Sequence, residues 1–265
     1  MCADISLQAD IEYTHEIYPD LRDIRLVDLT EEELEHTNAM TFPLYDIIYQ
    51  DHGTVLTTME WGVRPNFEKD PEKFDLRRRS MINARIEKIV DDPKSYWKHL
   101  RQQRCLIPVS GIFEHRSIRT WKNKVPYYIW QRNRAVFHLP GLFQWDMLPD
   151  ADGVVHQVGS FTLITTKGNQ TMSQIHNEGD NKFRMPLFLT PELEKAWLSP
   201  DLTENDLRDL SHFELPSEGL SFHPVYTLRG KSHRPDGKKA YDEWHWENLP
   251  PLGNDNPLTP QLSIF

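Results

Sequence analysis

The sequence predicts an α+β domain built on a largely antiparallel, curled, barrel-like sheet with a few short helices. Three observations predict it. Short segments rich in β-branched and aromatic residues recur between residues 44 and 166, with few helical patterns among them. Turn residues punctuate those segments, as Asp51-His52-Gly53 does between Leu44–Tyr49 and Val55–Trp61. Eight Trp, nine Tyr and twelve Phe supply an aromatic mass that a disordered chain lacks.

The elements follow in order. Thr30 with Glu33 makes a capping box for a helix ending near His36. Leu44–Tyr49 and Val55–Trp61 read as a hairpin. Asp92-Pro93 is read as the start of a helix running to about Gln102, with Pro at its first position. Cys105–Val109, Gly111–Glu114, Val125–Trp130, Ala135–Leu139, Gly141–Trp145 and Phe161–Thr166 read as short strands. Pro191–Leu198 and Thr203–Leu210 read as helices. At 265 residues the chain divides best into one domain, 1–228, and a flexible Pro-containing tail, 229–265.

Composition excludes several classes. No run of 18 apolar residues exists, so no membrane-spanning helix is expected. The start, MCADISLQADIEYTHE, has neither the basic nor the apolar part of a secretory signal. Cys2 and Cys105 cannot make a disulfide framework, which points to a reducing, cytoplasmic compartment. A net charge of −10 argues against a surface coated in DNA, but leaves room for a local basic groove. The histidines are scattered and no metal or nucleotide motif appears, so no metal and no cofactor are expected.

Cys2 is the first residue with distinctive chemistry. A Met before a small side chain is usually trimmed, which would leave Cys2 with a free α-amine. Amine and thiol, with reference pKa values of about 8 and about 8.5, are then both partly nucleophilic near neutrality. Two carbons apart, they can trap one aldehyde together as an imine and then a thiazolidine ring. The alternative is an incidental residue on a frayed terminus. Asn83, Glu114 and His176 likewise have plain readings as a turn residue, a satisfied carboxylate and a helix cap. Basic residues cluster at Arg77-Arg78-Arg79 with Arg85, at Lys94, Lys98, Arg101 and Arg104, and at Arg116, Arg119, Lys122 and Lys124.

An ordered series of short motifs stands behind the Met-Cys start. It runs Trp61-Gly62-Val63-Arg64-Pro65, Asn83-Ala84-Arg85, Arg104 to Pro108, Gly111-Ile112-Phe113-Glu114, Pro126 to Ile129, Gly141-Leu142-Phe143, Thr165-Thr166, Ile175-His176 and Arg184-Met185-Pro186. The series resembles the SRAP family, the SOS-response-associated peptidases or abasic-site processing proteins. The resemblance implies capture of an abasic site in single-stranded DNA as a thiazolidine on the N-terminal Cys, which shields the lesion during replication. It also implies autoproteolysis where residues precede that Cys; here only Met1 does, and an aminopeptidase serves equally well. By resemblance Cys2 is the nucleophile, Asn83 positions amine and sugar, and Glu114 and His176 move protons. Arg85 and Arg184 match phosphate contacts, and Trp61 and Pro43 line the lesion pocket or stack on bases. Arg116 and Arg119, directly after Glu114, are added as phosphate contacts.

Three departures stand out. Asp4 occupies a position where the family commonly has an Arg, His115 stands where a Trp often follows the Glu, and Asn177–Phe183 is an insertion. Three rival functions fit parts of the same pattern: an abasic-site lyase, an N-terminal-nucleophile amidase or peptidase, and a non-catalytic single-strand binder. The chain is expected to be a monomer without membrane attachment. Its end, Gln261-Leu262-Ser263-Ile264-Phe265, resembles the bacterial sliding-clamp-binding pentapeptide, with Ile264 the one departure. Gln261, Leu262, Ile264 and Phe265 would bind the clamp and tether the protein at replication forks.

Overall fold

Five strands close on themselves at the centre of the structure. The hairpin Leu44–Gln50 with Thr54–Trp61 pairs through its first strand with Arg104–Val109. Arg104–Val109 pairs with Phe137–Pro149, which pairs with Val155–Lys167. All these ladders are antiparallel. A parallel pairing of Phe161 with Trp61 then returns the sheet to the hairpin and closes the barrel. The computed structural model describes residues 2–8, 11–229 and 234–256. The α+β class and the barrel-like antiparallel core agree with the sequence reading.

Alternation fills the barrel. Tyr45, Ile47, Met59, Trp61, Ile107, Phe143 and Phe161 belong to one buried cluster. Trp61 and Phe161 stack with ring centroids 5.8 Å apart, an arrangement that adds about 1 kcal/mol to area burial. The other side of the barrel wall packs against helices through Ile48, Leu106, Leu142, Ile164 and Trp197.

The capping box at Thr30 and Glu33 is present and starts the helix Glu31–Glu35. The helix expected from Asp92 shrinks to Tyr96–His99, because Ser95 rather than Pro93 begins it. Asp92 instead holds a turn, accepting from the Lys94 and Ser95 amides. The two strands expected around Pro140 are one strand of 13 residues. Pro140 is tolerated because the second neighbour joins only at Gly141, opposite Leu163.

A second sheet places the N-terminus. Its order is Leu220–Pro224, Val125–Gln131, Gly111–Arg116, Asp4–Ser6 and Thr37–Asn38, antiparallel throughout. Asp4–Ser6 is thus an inner strand with Asp4 opposite both Phe113 and Asn38.

The expected flexible tail needs correction for residues 234–256. The Trp246 indole donates to the Val225 carbonyl at 2.9 Å, its ring lies 6.0 Å from Trp121, and Leu249 and Leu252 pack on the core. Proline-bearing sequence predicts irregular backbone, which buried aromatic anchors can still hold in place. The pentapeptide Gln261, Leu262, Ser263, Ile264 and Phe265 lies outside the described residues, as does Met1.

Candidate functional site

Cys2 is buried, at 1% exposure, immediately ahead of the inner strand Asp4–Ser6. The register Asp4 opposite Phe113 sends the chain toward the Glu114–His115 end of the neighbouring strand. Asn83 begins a short strand parallel to Val155–Lys167, and its side-chain amide donates to the Cys2 carbonyl at 2.7 Å. That bond spans 81 residues of sequence, so the barrel positions the N-terminus from outside its own sheet.

Glu114 is buried on the strand beside Cys2. His176 follows the helix Gln170–Ile175 and approaches Glu114 to 4.0 Å between Nδ1 and Oε1. Its Nδ1 also lies 2.9 Å from the Arg184 carbonyl oxygen. A carbonyl only accepts, so Nδ1 carries the proton and Nε2 is the lone-pair nitrogen of the neutral ring. The four residues Cys2, Asn83, Glu114 and His176 are therefore brought together from four segments.

The electrostatics correct one expectation. Burial first, then the carboxylates of Glu114 and Asp4, push the Cys2 thiol well above its ordinary range. The thiol is protonated at neutral pH and needs a base, rather than being part thiolate. Two acceptors at the site, Asn83 Oδ1 and Glu114 Oε1, are buried with no hydrogen-bond partner among the described residues. A buried polar atom left unpaired costs about 1–3 kcal/mol, and such atoms cluster where a ligand or reacting group completes them.

Two pockets flank this core. One, of about 270 Å³, is lined by Asn83, Arg85, Lys88, Trp97, Thr165 and Arg184, among others. There Arg85 donates to Asn181 Oδ1 at 2.8 Å. Arg184 grips the Glu87 carboxylate with both Nη atoms, at 2.7 and 3.0 Å, and also donates to the Thr165 carbonyl at 2.8 Å. The other pocket, of about 490 Å³, contains Glu114, His115, His176, Lys122, Lys124 and Arg229 in its lining.

Several expected DNA contacts sit elsewhere. Trp61 is fully buried, its indole N–H donating to the Ile82 carbonyl at 2.9 Å, so no base can stack on it. Pro43 is half-buried and its carbonyl accepts from the Trp61 amide. Arg116 has a fully buried side chain. It binds Asp255 at 2.6 Å, Pro250 O at 2.7 Å and Pro251 O at 2.6 Å, and meets no solvent through which a phosphate could come. Arg119 is exposed and reaches Asn256 at 3.5 Å. Arg104 and Arg78 are also buried, holding backbone carbonyls.

Sequence reasoning missed Arg229. Asp4, noted only as a departure, is buried and accepts from Asn38 Nδ2 at 2.7 Å and Arg229 Nη2 at 2.8 Å, with His36 Nε2 at 2.9 Å. No local signal could have paired residues 225 positions apart. The insertion ties across the site: the Asn177 side chain pairs with both Ser117 backbone groups at 2.8 and 2.9 Å, and Glu178 meets Lys124 at 2.9 Å.

No group of three or more potential metal-binding side chains exists among the described residues, and none of their helices is long and apolar enough to cross a membrane.

Comparison with known proteins finds relatives in sequence and in fold. Abasic site processing protein YoqW of Bacillus subtilis (strain 168) is 34% identical over 160 residues, 60% of this chain; the match spans 64% of that relative's length. Abasic site processing protein YMR114C of Saccharomyces cerevisiae is 28% identical over 193 residues, 71% of this chain and 48% of that protein. A crystal structure of a protein from Bacteroides thetaiotaomicron superposes with a TM-score of 0.67 at 28% identity, covering 91% of this chain and 97% of that one. A protein from Bordetella bronchiseptica, at 19% identity and a TM-score of 0.64, shares the fold; it covers 85% of this chain and 100% of that one. The profile of the SOS response associated peptidase (SRAP) family matches residues 1–232, and the chain belongs to that family.

Proposed function

We propose that this protein processes abasic sites by capturing them covalently on Cys2 in single-stranded DNA. The observation that carries the reading is the setting of Cys2. Its carbonyl is held by Asn83, while Asn83 Oδ1 and Glu114 Oε1 lack donors among the described residues. Relatives named abasic site processing proteins support the same reading.

The chemistry follows from the residues. With Met1 removed, by the Cys2 thiol or by an aminopeptidase, the Cys2 amine attacks C1′ of the ring-opened sugar. His176, in its imidazolium form, gives its Nε2 proton to the ring oxygen as it opens, and Glu114 returns the proton it takes from the amine as water leaves the carbinolamine. The resulting imine is attacked at C1′ by the thiol. Because the thiol pKa is raised, its proton goes to Glu114 and from there to the nitrogen, closing the thiazolidine. Arg85 and Arg184 hold phosphates beside the lesion. The protein works as a monomer, and Gln261–Phe265 docks on the sliding clamp at replication forks.

The test is incubation with uracil-glycosylase-treated single-stranded DNA, read on a denaturing gel. Wild type gives a heat-stable shifted band and Cys2→Ala gives none. Strand cleavage that persists in Cys2→Ser would support a lyase instead. For the clamp, a peptide covering Asn254–Phe265 is expected to bind at micromolar strength, about −8 kcal/mol. Equal binding by a peptide with Leu262 and Phe265 changed to Ala would end that part of the reading.

A further inference from the structure

We infer that Arg229, aimed by Asp4, is an anion-gripping residue that holds a backbone phosphate of the bound strand at the mouth of the Cys2 site. The inference rests on the reading of that site as one for single-stranded DNA. It adds a contact from a segment that the motif series does not reach.

Asp4 is a rigid anchor. Its backbone is paired on both sides, with Phe113 and with Asn38. Its carboxylate is divided between two tasks: Oδ1 meets Asn38 and His36, and Oδ2 takes Arg229. Burial opposes the charged form. The His36 hydrogen bond and the Arg229 charge outweigh it, so the carboxyl sits below its usual range and stays ionised. A buried carboxylate with no rotational freedom fixes where the guanidinium lies.

Arg229 is not consumed by that contact. Its side chain is 59% exposed, and only Nη2 has a partner among the described residues. Nε and Nη1 remain as donors, and a guanidinium can hold a carboxylate on one edge and a phosphate on another. Arg229 lines the 490 Å³ pocket that also contains Glu114 and His176. Lys122 shares the rim and has no ion pair among the described residues, whereas Lys124 is taken by Glu178. The pocket therefore has the proton-moving pair in its wall and two available cations at its edge. A strand whose lesion reaches Cys2 past Glu114 and His176 would set a phosphate against them.

The experiment is equilibrium binding, by anisotropy across a salt series, of a short single-stranded oligonucleotide carrying a tetrahydrofuran abasic analogue. Arg229→Gln is expected to weaken binding about tenfold at low salt. It should also flatten the slope of log K against log salt by about 0.7, the value for one phosphate on a single strand. Arg229→Lys should keep the slope. Lys122→Gln should flatten it by a similar amount, and the double variant by about 1.4. A fastening role for Arg229 would move the thermal midpoint and leave the salt slope alone. A wild-type slope in Arg229→Gln, or an equal loss in Arg229→Lys, overturns this inference while wild-type binding leaves the broader reading intact. Absence of any wild-type binding overturns both.

Discussion

Two arginines hold the C-terminal part of the chain to the domain, and they do opposite things. Arg116 has 0% side-chain exposure and spends its donors on Asp255, Pro250 and Pro251. Arg229 is 59% exposed and spends one donor atom on Asp4. In the first pair the cation lies inside and the acid at the rim; in the second the acid lies inside and the cation at the rim. The difference teaches that which partner is buried decides what remains for a ligand. A buried guanidinium is fully committed to its neighbours, because an unsatisfied donor inside is costly. A rim guanidinium keeps free donors at little cost.

The largest effects test the site itself. Glu114→Gln should slow adduct formation about 100-fold at nearly constant shape, since a general base is lost. Single-turnover gels measure it; an unchanged rate would remove Glu114 from its role. His176→Ala should slow the reaction to a similar degree.

Arg116→Met comes next. It strips the partner from Asp255 and two carbonyls and should destabilise the fold by about 3–5 kcal/mol, the usual cost of breaking a buried charged network. Arg229→Met should cost about 1 kcal/mol, less than Arg116→Met because Asn38 and His36 still partner the buried Asp4 carboxylate. Urea unfolding of the two variants measures the contrast directly, and equal losses would collapse it.

A further contrast concerns pH. Burial lowers His115 to about 4, so the folded protein keeps it neutral while an unfolded chain protonates it near 6.5. The unfolded state binds more protons across that window. Stability should therefore rise from pH 4 to 6.5, by up to about 1.4 kcal/mol per unit, and the contribution is complete above it. Asp4, with its lowered pKa, contributes fully above about pH 4 and loses that contribution only as pH falls through its folded value. His115→Gln should flatten the first slope and leave the second; a wild-type profile would show that His115 titrates as in water.

The strands of the barrel were legible because alternation and β-branched content are local properties. Leu44–Gln50, Thr54–Trp61 and Arg104–Val109 appear almost where the pattern put them. The helix at Asp92 was misjudged because a Pro at the first helical position and a Pro in a turn look alike until a Ser two residues on competes for the cap. The motif series named Cys2, Asn83, Glu114 and His176, which the structure gathers at one place.

Sequence by itself determined the fold class and the main strands, because those follow from near-neighbour periodicity, and its motif series picked out the four residues of the candidate site. Tertiary structure alone decided which charged and aromatic residues face a ligand. Trp61 and Arg116 looked like DNA contacts and are core. Asp4 looked like a lost contact and instead anchors Arg229. Residues 234–256 looked like a tail and cover the domain. Each outcome depends on partners far apart in the chain, such as Asp4 with Arg229 and Arg116 with Asp255. Burial and charge pairing are set by what folding brings together, and no local pattern encodes that distance.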